Sequence, residues 1–364
     1  MWYALIGSLS LFTLAGAVYL VFRFHKFSLI QKLSKRSKPL SWAAALLPVI
    51  LIGCFYFVNL TTLIVVMLHL VVGFAVCGLV GYVVGRIRKK KVSRDLTGIA
   101  AVALTVVYLG IGWFSAYHIF ETDYTFYTQK AVDGELRIAV IADSHLGITI
   151  DGKRFGRQLK RIESEEPDLL VIAGDFVDDD SKSEDMIEAC RALGEFRSEL
   201  GVYFIYGNHD NGYFDYRNFS GQELRSELEK NGVVILEDSG VDLGGGYFLL
   251  GRNDRSMPGR ASMDVLTNGI DRSEYVILLD HQPNDYAAEA EAGVDLVISG
   301  HTHGGHIFPA GQIGLLTGAN DRRYGTEVRD NTTFVVTSGV SGWAIPFKTG
   351  TFSEYVIIDV KPEK

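Results

Sequence analysis

The chain divides in two by the period of its apolar positions. Residues 4–22, 42–58, 60–85 and 97–120 form four long apolar runs with no Asp, Glu, Lys or Arg in their cores. Each is close to the ~20 residues that a helix needs to cross a bilayer. Trp2, Tyr3, Trp42, Trp113 and Tyr117 stand near the run ends, where interfacial aromatics concentrate. The pattern predicts an all-α bundle of four transmembrane helices. From about residue 125 the runs shorten. LRIAVIA (136–142), LLVIAG (169–174), VYFIYG (202–207), YVILLD (275–280) and DLVISG (295–300) are short, β-rich and almost wholly apolar. Such runs fit strands covered on both faces. Helical periodicity falls between several of them, at 154–164, 184–195 and 221–231. TTFVVTSG and FSEYVIIDV follow as strands without long helices between them. The prediction is a mixed, layered α/β domain over 125–364, after a membrane region over 1–124, with a polar boundary near 121–131.

Charge sharpens that division. Of 35 Lys/Arg and 43 Asp/Glu, residues 1–124 hold 12 and three, which leaves 23 and 40 for the second half, a formal −17. So acidic a domain does not suit nucleic-acid phosphates, which call for a basic surface; it suits metal cations. The basic residues of the first half cluster between runs, at Arg23–Lys38 and Arg86–Arg94. The positive-inside bias places both loops in the cytoplasm. Four spans then put the N-terminus and the whole second half outside it. His69 and His118, in or beside spans, read as packing or interfacial residues. Three cysteines, Cys54, Cys77 and Cys190, suggest neither a disulfide nor a thiolate metal site.

Chemistry gathers where the buried runs stop. After the successive strands come Asp143 and His145; Asp175 and Asp178; Asn208, His209 and Asp210; Asp280 and His281; then GHTHGG with His301 and His303. Ligands of open α/β sheets collect at the carboxyl ends of strands, so these five clusters are expected to meet. Six of the nine histidines lie in the second half, and all six (the sixth is His306) belong to these clusters. His, Asp and Asn without thiol suit Mn, Fe, Zn or Co. Seven or more candidates are enough for two divalent ions sharing a carboxylate, a device for hydrolysing phosphoesters.

The ordered motifs D-x-H, G-D-x-x-D, G-N-H-D, a lone His and G-H-x-H resemble those of the calcineurin-like metallophosphoesterases. The resemblance spans about residues 135–360. Within the family the chain looks most like the GHTHGG branch, which includes membrane-associated phosphodiesterases; some relatives cleave the pyrophosphate of UDP-diacylglucosamine. The resemblance implies a four-layer fold, two β-sheets between helices. It implies that Asp143, His145 and His303 hold one metal, that Asn208, His281 and His301 hold a second, and that Asp175 bridges them. His209 would contact the phosphate and protonate the leaving oxygen, with Asp210 orienting it. Asp178 would support the G-D-x-x-D turn, or be a solvated loop acid. His306 stands where relatives often carry Gln, and either touches substrate or caps the turn. Lys348 stands near a position where many relatives have Arg, which raises binding of the substrate's anion. GRND (251–254) lines the pocket or forms a surface turn.

The expected activity is hydrolysis of a phosphodiester or pyrophosphate by a membrane-anchored, dinuclear-metal enzyme, with a lipid or cell-envelope substrate suggested by the anchor. The rivals are a phosphomonoesterase, including a protein phosphatase, and a non-catalytic metal-binding membrane sensor. Topology is directly testable: alkaline phosphatase fused after Lys364 should be active, and a fusion active only with a cytoplasmic reporter overturns the orientation.

Overall fold

The computed structural model describes residues 2–213 and 217–363, without the side chains of residues 2–6; the interfacial reading of Trp2 and Tyr3 lies outside that description. Its contacts divide it into two compact units, Met1–Ile111 and Gly112–Lys364, each described by itself.

The first unit holds α1 (Trp2–His25), α2 (Ser28–Ser34), α3 (Lys38–Gly53), α4 (Leu60–Ile87) and most of α5 (Arg94–Tyr117). Four stretches are long and apolar enough to span a membrane: Gly7–His25, Lys38–Phe57, Leu60–Ile87 and Arg94–Tyr117. Asn59 caps α4, its side chain accepting from the Thr62 amide at 2.7 Å, which closes the tight turn between the second and third spans. The basic stretch after the first span carries the short helix α2, which the charge pattern did not suggest. His69 bonds the Val65 carbonyl and stacks on Tyr108. The outward side chains remain apolar: Leu47, Leu79, Val106 and Ile111 are all exposed, as in helices whose solvent is lipid.

The polar stretch near 121–131, expected as a boundary, is ordered. It is largely strand β1 (Ile119–Thr128), and α5 ends at Tyr117, before His118–Phe120 of the fourth apolar run. Thr122, Tyr124 and Phe126 turn inward between exposed Asp123, Thr125 and Tyr127, a period of two that its polar composition disguises.

The rest of the second unit comprises β2 (Leu136–Ile141), α6 (Gly152–Glu163), β3 (Leu169–Ala173), α7 (Ser183–Glu195), β4 (Gly201–Ile205), α8 (Gly221–Lys230), β5 (Val234–Ile235), β6 (Ser239–Gly244), β7 (Tyr247–Gly251), α9 (Met263–Leu266), β8 (Tyr275–Leu279), α10 (Tyr286–Glu291), β9 (Leu296–Ser299), α11 (Ala310–Leu316), β10 (Gly325–Arg329), β11 (Thr332–Val336) and β12 (Ser353–Pro362). They build two mixed sheets of six strands, ordered β1-β12-β2-β3-β4-β5 and β10-β11-β9-β8-β7-β6. Alternation along each strand makes the layers. Ile138, Val140, Leu169, Val171 and Ile205 of the first sheet meet Leu249, Ile277, Leu279 and Ile298 of the second. The opposite face of the first sheet, with Ala139, Ile141, Ile172 and Phe204, packs on Phe155, Leu159, Cys190, Leu193 and Leu224 of α6, α7 and α8. The outer face of the second packs on Met263, Leu266 and Tyr286 of α9 and α10. Fully buried side chains of this size contribute roughly 1.5–3 kcal/mol each. Helices, sheet, sheet, helices is the expected four-layer sandwich.

β2, β3 and β4 are parallel neighbours in one sheet, and β8 and β9 in the other. Their carboxyl ends open on the same side of the sandwich, which brings the five polar clusters together.

Candidate metal centre

Six site residues, Asp143, His145, Asp175, His301, His303 and His306, have φ between 37° and 69°. Non-glycine side chains there cost roughly 1–3 kcal/mol each and tend to mark functional sites. Local hydrogen bonds hold these turns. The Asp143 amide donates to the Gly174 carbonyl at 3.0 Å and the His145 amide to the Asp175 carbonyl at 3.1 Å. The His301 amide donates to both Asp143 carboxylate oxygens at 3.0 Å.

Two sets of ligand atoms converge. Asp143, His145 and His303 form one; Asp175, His281 and His301 form the other, with ligand atoms within 4.8 Å of one another in each. Asp175 joins them: its Oδ2 lies 3.0 Å from His281 Nε2 and 3.7 Å from His145 Nε2. In three imidazoles the far nitrogen faces a fixed partner. His281 Nδ1 bonds the Ala173 carbonyl at 2.8 Å, His303 Nδ1 the Ser341 carbonyl at 3.2 Å, and His145 Nδ1 faces Asp178 Oδ2 at 3.2 Å. Each Nε2 is thereby aimed inward, the arrangement that orients metal-binding histidines. Asp178 is thus a buried partner of His145, besides accepting from the Asp180 amide.

A divalent cation fits this set on its own chemistry. His145 Nε2, Asn208 Oδ1 and His301 Nδ1 are buried without a hydrogen-bond partner, a costly state for polar atoms unless something else engages them. Burial holds His303 well below the usual imidazole range and lowers His301 to about 4, with the His281 charge adding to the effect at His301. Neutral imidazole is the ligating form. Burial acts on Asp175 in the opposite sense, yet the His281 charge and hydrogen bond keep its carboxyl well below the ordinary range. His281 is raised in turn: Asp175 outweighs its burial. A cation would replace that proton between them.

Two glycines show why the motifs need glycine. A Cβ on Gly207 would lie 2.2 Å from Asp175 Oδ1, and one on Gly300 2.5 Å from Asp143 Oδ2. In both places the backbone of one motif passes directly beneath a carboxylate of another.

Asp210 and Lys348 depart from expectation. Asp210 does not hydrogen-bond the His209 ring, whose Nδ1 is buried without a partner. Its carboxylate instead accepts from the amides of Gly207 (2.7 Å), Phe176 (2.8 Å), Asp175 (2.9 Å) and Val177 (3.0 Å). Four backbone donors saturate the acceptor, and Asp210 splices the β3 turn to the β4 turn. Lys348 is 1% exposed and points away from solvent. Its Nζ donates to the Ser338 and Gly339 carbonyls at 2.6 and 3.1 Å, bracing a loop that packs on Asp143. Burial lowers Lys348 to about 7. His306 Nε2 is buried without a partner, and its carbonyl caps the turn by accepting from the Thr349 and Gly350 amides at 2.9 and 2.8 Å. GRND is not a surface turn: Arg252 and Asp254 are buried. Arg252 bridges Asp280 and Asp285 at 3.2 and 2.7 Å, while Asp254 accepts from Gln282 at 2.9 Å, so the network braces the residues on both sides of His281.

The motif reading missed Tyr213 and Trp343. Their rings stand 5.0 and 5.4 Å from that of His209, and Tyr213 Oη accepts from Asn208 Nδ2 at 2.9 Å. For Trp343 a signal existed: TSGVSGW follows β11 just as the other polar clusters follow their strands.

Comparison with known proteins shows the family. Residues 136–305 match the calcineurin-like phosphoesterase family model. A metallophosphoesterase of Aquifex aeolicus is 32% identical over 65% of this chain and 90% of its own length. A Danio rerio transmembrane protein with metallophosphoesterase domain is 32% identical over 62% of this chain and 53% of its own, so the chain spans about half of that relative. Among solved structures, a Danio rerio dimetal phosphatase aligns with 56% of this chain and 87% of its own, at 13% identity and a TM-score of 0.36, a likeness too remote to carry weight. The chain belongs to the calcineurin-like metallophosphoesterases, metal-dependent phosphoester hydrolases, and carries four apolar helices suited to a membrane.

Two substitutions test the architecture. Asp210→Ala leaves buried amides without an acceptor and should destabilise the fold by on the order of 3 kcal/mol, read as a lowered Tm of the purified protein. Gly207→Ala should displace Asp175 and lower bound metal, measured by elemental analysis, at least fivefold; full metal content would contradict the close approach.

Proposed function

We propose that the second unit hydrolyses a phosphodiester or pyrophosphate, carried by a lipid or another cell-envelope molecule, on the extracytoplasmic side of the membrane. The observation that carries the chemistry is the single carboxylate Asp175 facing imidazoles of both ligand sets, which fits two divalent ions. Asp143, His145 and His303 would hold one, and Asn208, His281 and His301 the other, with Asp175 between. Bound ions supply Lewis acidity, drawing charge from phosphoryl oxygens and acidifying water.

The chain's own residues do the rest. His209 is fixed through its backbone, whose amide donates to Asp175 Oδ1 at 2.8 Å. Its ring stands 5.0 Å from that of His145, and its buried Nδ1 has no protein partner. In this reading it contacts a phosphoryl oxygen and passes a proton to the leaving oxygen. Tyr213 and Trp343 wall that ring. The basic loops support the extracytoplasmic side, and the apolar helices support a lipid or envelope substrate.

His209→Ala should lower kcat at least 100-fold, within the range that general acid–base groups supply, while metal content stays at the wild-type level. Unchanged turnover would remove it from the reaction. With Mn²⁺-loaded protein, bis(p-nitrophenyl) phosphate should be the better substrate and p-nitrophenyl phosphate the poorer. The reverse order would make the protein a phosphomonoesterase.

A further inference from the structure

We infer that the apolar segment 308–316, which follows the GHTHGG motif, lies in the lipid interface and presents the metal centre to a phosphodiester borne by a membrane lipid. The inference rests on the phosphoesterase reading above and names the physical state of its substrate.

The segment is unlike the rest of its unit. No residue of α11 is buried. Phe308, Ile313, Leu315 and Leu316 are 54%, 55%, 39% and 87% exposed, and residues 307–318 include no charged side chain. Elsewhere in the sandwich the large exposed apolar residues, such as Ile187, Val265 and Val328, stand singly, which is ordinary. A contiguous apolar lip marks a surface that something covers.

Two sets of contacts fix where the lip lies. Toward the site, Gly311 packs on Gly305, so closely that a Cβ on Gly311 would come 2.4 Å from the Gly305 Cα. Gly305 is two residues beyond His303. Arg323 ties the same turn, its Nη1 donating to the Gly304 carbonyl at 2.8 Å. Toward the membrane, the Phe308 amide donates to Thr349 Oγ1 at 3.1 Å. Next to Thr349, the Lys348 amide donates to the Gly112 carbonyl at 2.9 Å, and a Cβ on Gly112 would meet the Thr349 methyl at 2.7 Å. Gly112 lies inside the apolar helix Arg94–Tyr117, five residues or about 7.5 Å before its end. Phe308 is therefore held at the level of the last turns of α5. Trp113 and Phe114, half exposed, stand at that level, where aromatic residues sit in a bilayer. One loop, 347–350, joins the lip, the GHTHGG turn and the end of the span, so lipid that meets α5 there also meets the lip.

The test uses the full chain in nanodiscs of phosphatidylethanolamine and phosphatidylglycerol. An NBD probe on Leu316→Cys, with exposed Cys54 replaced by Ser, should show blue-shifted emission and strong quenching by nitroxide-bearing lipids. Water-like emission, or blue-shifted emission without lipid quenching, as a second protein copy would give, overturns the proposal. In parallel, the Ile313→Ser/Leu315→Ser/Leu316→Ser variant is assayed on a diacylglycerol p-nitrophenyl phosphodiester held in the discs, and on soluble bis(p-nitrophenyl) phosphate. The lipid ester should be hydrolysed at least tenfold more slowly than by the wild type, and the soluble ester within twofold of it. Equal loss on both, or on neither, overturns the role of the lip. A metal-loaded wild type that hydrolyses no soluble diester would instead defeat the phosphoesterase reading, and the quenching measurement alone would then decide whether the lip meets lipid.

Discussion

The site depends on keeping one buried carboxylate, Asp175, charged. It is 1% exposed, and an isolated buried charge would cost many kcal/mol. The structure surrounds it with compensation: the His281 imidazole at 3.0 Å, His145 at 3.7 Å and the His209 amide at 2.8 Å. Each of these comes from a different strand end. Asp175 can remain an anion only when three segments, distant in sequence, have been brought to it. The site therefore needs the tertiary fold of the sandwich, and a divalent cation there would supply the positive charge that the His281 imidazole provides.

The other buried charges serve that arrangement. Asp210 spends its carboxylate on four amides of the β3 and β4 turns. Lys348 braces the 338–339 loop under Asp143, and the same loop is held from the other side by Glu354, which accepts from the Thr337 hydroxyl and the Ser338 amide at 3.0 Å. Arg252 ties Asp280 to Asp285 behind His281. A buried ion pair such as Arg252–Asp280 stabilises little in itself. The effect of these buried charges is positional: they fix turns whose ligand residues occupy left-handed backbone that apolar packing alone would not enforce.

Within the second unit, the end of α5 and the chemistry meet in the same short loop. Residues 347–350 contact both the last turns of α5 and the backbone that follows His303. In the proposed lipid hydrolysis, the anchor would do more than retain the enzyme near its substrate; it would set the depth at which the site works. On that reading the exposed α11 is a lipid-facing surface rather than a defect of an otherwise well-covered sandwich.

Much of this could be read from residue order alone. Apolar period separates a lipid-facing half from an α/β half, because helices in lipid need uniformly apolar surfaces and buried strands need short apolar runs. The candidate ligands Asp143, His145, Asp175, Asn208, His281, His301 and His303 are legible because each follows such a run and parallel strands end together. What sequence could not supply is which atom a side chain spends on which neighbour. Asp210 adjoins His209 in the chain, and adjacency suggested a pair, yet successive residues at a sharp turn point apart and its carboxylate found four amides instead. Lys348 looked available to an anion because its charge was visible and its burial was not. Strand β1 was hidden by polar side chains along its exposed edge. The lip at 308–316 carries no charge; only packing, which left it uncovered, distinguishes it from core. Local pattern determined the elements and the ligand types, and tertiary structure decided their partners, because hydrogen bonds and burial depend on distances that sequence separation does not encode.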